Sequence, residues 1–234
     1  MLKIATHQAE IRGNAVMSWW AGGGSAPVIA VDGAAVLMAR ASEPGTLVAI
    51  IEQGGDDEAI RTIAEIATAL HAPRNSPPPE GLPPLESWFA VLPTAVERLG
   101  GPLHASAAAA EALLATQTDR VVLHGDLHHE NVLHFGESGW LAIDPKGVVG
   151  ERALDYVQHV FDPDDENVPP LEVLEHRLAL SAEFSGFDVA RLRLWLLAWA
   201  GLEAAWWAES GGSPLPSLAV AAALAATSDA VSAA

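Results

Sequence analysis

Residues 124–133 read His124-Gly125-Asp126-Leu127-His128-His129-Glu130-Asn131-Val132-Leu133, and Ile143-Asp144-Pro145-Lys146-Gly147 begins ten residues after Leu133. Short apolar segments bracket these loops: Arg120 to Leu123, Val132 to Phe135 and Trp140 to Ile143 each read as a strand. An aspartate directly after Gly125 can accept a hydrogen bond from an alcohol while that alcohol attacks a phosphate. Because the transition state is loose, such a base mainly positions the nucleophile. Asp126 is the candidate for it. Asn131 offers a neutral oxygen and Asp144 a carboxylate, two hard donors that suit Mg²⁺ bridging nucleotide phosphates. A lone Asp or Asn in such a place is more often a turn former. The whole array, with strand, acidic loop, amide, strand and acidic loop in this order, points instead to phosphoryl transfer.

With these residues in place, the segment resembles the catalytic core of the aminoglycoside phosphotransferases, whose fold is similar to that of protein kinases. The stretch Trp140 to Asp155 resembles more narrowly the streptomycin 6-phosphotransferase and hydroxyurea phosphotransferase branch. The resemblance implies an α+β, protein-kinase-like fold of two lobes, with a mainly helical C-terminal lobe. It implies Asp126 as catalytic base, Asn131 and Asp144 as metal ligands, His124 as anchor of the catalytic loop and His128 as its lining. ATP with Mg²⁺ is the implied phosphate donor, and a small cationic molecule the acceptor.

The same comparison gives the first block a meaning. Leu2-Lys3-Ile4 looks like the strand whose lysine pairs with the nucleotide phosphates, and Glu10 of the following helix is its expected ion partner. Taken alone, a lysine at position 3 is a solvated terminal residue. Val36 to Arg40 resembles the segment between the lobes, where backbone groups near Ala39 and Ala41 would hydrogen-bond an adenine. The chain begins at the lysine strand, so the expected N-terminal lobe is truncated, without the strands and loop that cover the phosphates. The expected function is phosphorylation of an aminoglycoside hydroxyl, that of streptomycin first, conferring resistance. The alternative is a catalytically impaired remnant that binds nucleotide or ligand without turnover. A protein kinase is disfavoured, because no Ala-Pro-Glu signature follows Asp144.

Outward from the motif, the pattern predicts a helix over Gln8–Trp20, closed by Gly22-Gly23-Gly24, and two strands between Val28 and Ala39 joined at Asp32-Gly33. Turn chemistry from Ala41 to Thr46 sets the lobe boundary, giving residues 1–41 and 42–234. Helices are expected over Asp56–His71, Trp88–Leu99 and Ala105–Ala115, with the proline-rich stretch Arg74–Pro84 as a loop. After the motif come Arg152–Val160, Leu171–Phe184, Val189–Glu209 with Asp188 as N-cap, and Pro216–Ala226.

Half of the 234 residues are apolar, enough to bury a sizeable core. The most apolar stretch, Leu192 to Trp207, carries Arg193 and Glu203 and reads as a buried helix, not a membrane span. The N-terminus lacks a signal-peptide pattern, so a cytoplasmic location is expected. Cysteine is absent, which excludes disulfides, thiolate metal sites and a cysteine nucleophile. Twelve basic against thirty acidic residues give a formal charge of -18, which repels nucleic acid and anionic lipid and favours cationic partners. An acidic surface kept for solubility explains the same number.

A zinc hydrolase of the His-Glu-x-x-His type would need a glutamate directly after its first histidine; Gly125 stands there instead. Eight tryptophans could form a face for an amphipathic ligand, although Trp195 and Trp199, four apart beside Leu192 and Leu196, read more simply as core. For a guanidinium- or amine-bearing substrate the carboxylate candidates are the run from Asp162 to Glu166 and the helix residues Glu203 and Glu209. Glu203 is preferred, since it interrupts an apolar stretch. The oligomeric state has no signature in the sequence.

Overall fold

A computed structural model describes residues 1–42, 46–161 and 168–232. Its N-terminal unit consists of strand β1 (Leu2–Ile4), helix α1 (Gln8–Trp20) and the hairpin of β2 (Val28–Asp32) and β3 (Ala35–Met38). β3 lies between β1 and β2 and is antiparallel to both, with Lys3 opposite Val36. The hairpin turns on Gly33-Ala34, one residue later than the expected Asp32-Gly33. Gly33 has φ +55°, and a glycine at the first central position suits a type II′ turn. Val36 and Met38 point inward onto Met17 and Ala26, and Phe135 and Ile143 from the next unit complete this small core. Leu2, Ile4 and Leu37 face outward.

The chain then runs through α2 (Leu47–Glu52), α3 (Asp56–Leu70), α4 (Glu86–Phe89), α5 (Leu92–Leu99) and α6 (Leu103–Ala115). Next come β4 (Arg120–Leu123), β5 (Val132–His134), β6 (Trp140–Ala142) and β7 (Val148–Glu151), and finally α7 (Leu171–Ser185), α8 (Val189–Ser210) and α9 (Leu215–Ser232). β4 pairs with β7 and β5 with β6, both antiparallel. The β5–β6 pair also ties the two units together: Ala26 donates to the Ala142 carbonyl, Ala142 to that of Gly24, and Ser42 to that of His134, at 2.8–2.9 Å.

α8 is the centre of the larger unit. Its buried residues, among them Leu192, Trp195, Leu196, Trp199 and Leu202, leave little of its surface polar, as expected of a helix packed on several sides. It packs against α5, α6, α7 and α9. Asp188 caps it as predicted, accepting from Ala190 N at 2.7 Å. α3 carries Asp56, Asp57 and Glu58 in its first turn, where carboxylates oppose the partial positive charge of the helix start, and buries Ile60, Ile63, Ala67 and Leu70. No helix among the described residues is long and apolar enough to cross a membrane.

Three expectations need correction. The helix expected over Trp88–Leu99 is split into α4 and α5, because Pro93 has no N–H for the carbonyl one turn back and sits instead in the first turn of α5. Arg152–Val160 holds only a 3-10 turn over Arg152–Tyr156, its buried Asp155 being bonded to the backbone of His124 and Gly125. β7 and α2 were not expected at all: Gly147 and Gly150 obscure the alternation of β7, and α2 is only six residues long, capped by Thr46. The middle of the predicted linker, residues 43–45, lies outside the described residues.

Candidate active site

β4 ends at Leu123 and delivers His124 into a loop whose backbone is held by buried side chains. Asp155 accepts from His124 N at 2.8 Å, from Gly125 N at 2.9 Å and from His71 Nε2 at 2.8 Å. Gln158 accepts from Leu127 N at 3.0 Å. Burial works to raise the Asp155 carboxyl, but His71 first, then His124 and the Gly125 N–H, outweigh it and hold it below the usual range. Gly125 has φ +79°, and a Cβ there would lie 2.6 Å from the Trp88 ring, so both conformation and space require glycine.

His124 is fully buried and stacks on Trp20 with ring centroids 6.2 Å apart. Its Nδ1 accepts from Asp126 N at 3.2 Å, which assigns the proton to Nε2 for donation to the Ile143 carbonyl at 2.9 Å. Burial depresses its pKa and favours this neutral form. His124 therefore links the Asp126 loop to the Asp144 loop.

Asp126 stands at the open side of this frame. Asn131 Nδ2 donates to the Asp126 carbonyl at 2.8 Å and reaches Asp126 Oδ2 at 3.1 Å and His128 Nε2 at 2.9 Å. The amide nitrogen is thus committed to the loop. Asp144 follows β6 with φ +61°, a left-handed conformation that aspartate tolerates better than most residues. α1 packs directly on its loop: a Cβ on Gly13 would sit 1.9 Å from the Pro145 carbonyl oxygen.

Two lysines converge on these carboxylates. Lys3 forms an ion pair with Asp144 Oδ1. Lys146 Nζ lies 2.8 Å from Asp126 Oδ2 and 3.3 Å from Asp144 Oδ2, joining the two loops. Burial tends to raise the Asp144 carboxyl, yet both ammonium groups hold it below the ordinary range. Burial likewise tends to lower Lys146, and Asp126 and Asp144 together raise it. Lys146 was not singled out from the sequence. Its signal was its place, two residues beyond a candidate metal carboxylate in a chain with few basic residues.

Other expectations shift. Glu10 is not the hydrogen-bonded partner of Lys3. Its exposed carboxylate accepts from Thr6 N at 2.6 Å and serves the open start of α1, and this bond is the main reason its pKa is lowered. Ala39 commits its N–H to the Pro27 carbonyl at 2.9 Å, so of its two backbone groups only the carbonyl is left for an adenine. Ala41 follows two residues later, beside Ser42, which is tied to His134. Asp162 and the rest of the acidic run to Glu166 lie outside the described residues.

Asp126, His128, Asn131 and Asp144 line one cavity of about 510 Å³. Its remaining wall comes largely from α8: Trp199, Glu203, Trp206, Trp207 and Ser210. Trp195 and Trp199 are both buried in the core, as their spacing suggests, and Trp195 donates to Glu151 at 3.0 Å. Trp199 also forms, with Trp206 at 5.8 Å between ring centroids, the wall between this cavity and a second one. That second space, about 240 Å³, also touches Trp88, Asp126 and Lys146. The donors suit a magnesium ion that keeps oxygens from phosphate and water: one amide and one carboxylate on adjacent loops. Among the described residues no group of three His, Cys, Asp or Glu could hold a metal alone.

The chain is similar to several known proteins. The family model described as "Aminoglycoside/hydroxyurea antibiotic resistance kinase" matches residues 1–211. A streptomycin 3''-kinase of Klebsiella pneumoniae is 45% identical over 217 residues, covering 90% of this chain and 80% of that protein. A streptomycin 6-kinase of Streptomyces griseus is 32% identical, covering 76% of this chain and 61% of the relative. A hydroxyurea phosphotransferase of Kitasatospora aureofaciens is 30% identical, covering 94% and 65% respectively. Among solved structures, a choline/ethanolamine kinase family protein from Mesorhizobium loti superposes with a TM-score of 0.66 at 16% identity, over 95% of this chain and 81% of that one. Choline kinase LicA from Streptococcus pneumoniae gives 0.61 at 12%, over 96% and 85%. Similarity at that level shows the kinase-like fold alone.

Proposed function

Because the chain belongs to the aminoglycoside/hydroxyurea antibiotic resistance kinase family and is thus a small-molecule kinase, we propose that it transfers the γ-phosphoryl group of ATP to a hydroxyl of streptomycin. The observation that carries this reading is the shared cavity. Asp126, Asn131 and Asp144 face it from one side, and Glu203 with three tryptophans from the other. A guanidinium-bearing acceptor finds a carboxylate and aromatic faces there, a combination that favours delocalised cations. The formal charge of -18 would draw such a molecule in over long range.

In the reaction, the acceptor oxygen bonds to the γ-phosphorus as the bond to the bridging oxygen of ADP breaks. Asp126 aligns the hydroxyl for in-line attack and takes its proton late. Asn131 and Asp144 would hold Mg²⁺, which neutralises charge on the phosphates when bound. Lys3, already on Asp144, would meet the inner phosphates, and the Ala39 carbonyl with Ala41 the adenine. Such a reaction belongs in the ATP-rich cytoplasm. The identity of 45% to a 3''-kinase against 32% to a 6-kinase favours the 3''-hydroxyl.

The test is incubation with ATP, Mg²⁺ and streptomycin followed by NMR of the product. The expected product carries phosphorus coupled to the 3'' position; phosphate on the 6-oxygen would correct the regiochemistry, and unmodified streptomycin would overturn the proposal.

A further inference from the structure

The geometry points to Lys146 as the residue that binds the γ-phosphoryl group during transfer. This assignment rests on the phosphotransfer reading above. The two lysines of the site are not equivalent: Lys3 pairs with Asp144, whereas Lys146 stands between Asp144 and Asp126, 3.3 Å from one carboxylate and 2.8 Å from the other. A phosphoryl group that leaves a nucleotide held on the Asp144 side for a hydroxyl aligned by Asp126 must cross the space between those carboxylates. Without a cation there, two carboxylates would repel the group at the point where its charge is greatest.

An ammonium has three donors. In this structure Lys146 directs them to Asp126 Oδ2, Asp144 Oδ2 and, at 3.5 Å, the Asp144 carbonyl. Asp144 would help hold a metal, and the donors now aimed at it would then be free for a phosphoryl oxygen while the contact with Asp126 remains. That contact has a second consequence. Lys146 and Asn131 both engage Oδ2 of Asp126, which leaves Oδ1, 3.7 Å from His128 Nε2, to orient the acceptor hydroxyl. Lys146 also lines the smaller aromatic cavity with Trp88 and Trp206, so its charge is held in a partly dry setting where it acts more strongly than in water.

A lysine that only kept the two loops together would treat all nucleotides alike, and a lysine that binds the γ-phosphoryl would not. The experiment is calorimetric titration of the 234-residue chain, Lys146→Met, Lys146→Gln and Lys146→Arg with Mg²⁺ and either ADP or the β,γ-imido analogue of ATP. Thermal melting identifies any variant that fails to fold, and Lys146→Gln serves if Lys146→Met does not. Loss of one charge-assisted contact predicts affinity for the analogue falling by about 10-fold or more in the neutral variants, with ADP changed by less than about 2-fold and Lys146→Arg near the parent. In turnover with streptomycin, kcat should fall by about 100-fold while the acceptor KM stays within a few-fold. Equal losses for ADP and the analogue, or none for either, would overturn the assignment. If the unmodified chain bound neither nucleotide, the phosphotransfer reading would itself fall, and this assignment with it.

Discussion

The two loops that carry the candidate chemistry are built differently. The Asp126 loop is held by buried groups: Asp155 takes two of its N–H donors, Gln158 a third, and His124 is fixed between Trp20 and Ile143. The Asp144 loop depends on ion pairs with Lys3 and Lys146, whose side chains are a quarter to a third exposed, and on the close approach of α1 at Gly13. Folding therefore presets the group proposed to orient the acceptor. The group proposed to meet the metal and nucleotide is held by contacts that binding can exchange.

The sharpest way to break this contrast is Asp155→Ala, which leaves two backbone donors and His71 unpaired in the interior. A loss of about 3 kcal/mol or more is expected by urea unfolding, and under 1 kcal/mol would show that the loop holds itself. Next comes Gly13→Ala. The added methyl must push Pro145 away, displacing Asp144; activity should drop about 100-fold with the melting temperature changed by only a few degrees. Wild-type turnover would show that the approach of α1 is incidental.

A smaller effect comes with pH. Burial lowers the pKa of His124 and, far more, of His159 in the folded chain. The unfolded state then binds more protons once the pH falls below about 6.5, so stability declines from there downward. Melting curves between pH 7 and 5 should show this slope, and His159→Gln should flatten it. An unchanged slope would place the acid sensitivity elsewhere. The smallest effect is expected for Glu10→Gln: kcat/KM within about two-fold of the parent, because this exposed carboxylate serves Thr6 and is not the bonded partner of Lys3.

The motif, the strands around it and the long helices were legible because their signals are local: turn residues at fixed spacing, apolar periodicity, and the Asp188 cap. What the sequence hid were pairings across long separations. Nothing near Asp155 announces that it serves residues 124 and 125, nor anything near Glu10 that Lys3 will turn to Asp144, since each outcome depends on which partner the fold brings closest. Lys146 was readable as a charge but not as a bridge. That Trp199 serves as wall as well as core depends on how α8 turns over the cavity.

The role proposed for Asp126 is to orient the acceptor in phosphoryl transfer. The experiment that reaches it is single-turnover transfer from ATP to streptomycin, measured for the parent chain and for Asp126→Asn at matched stability. Transfer by the parent and a loss of about 100-fold or more in the variant are expected; equal rates in both would overturn the role.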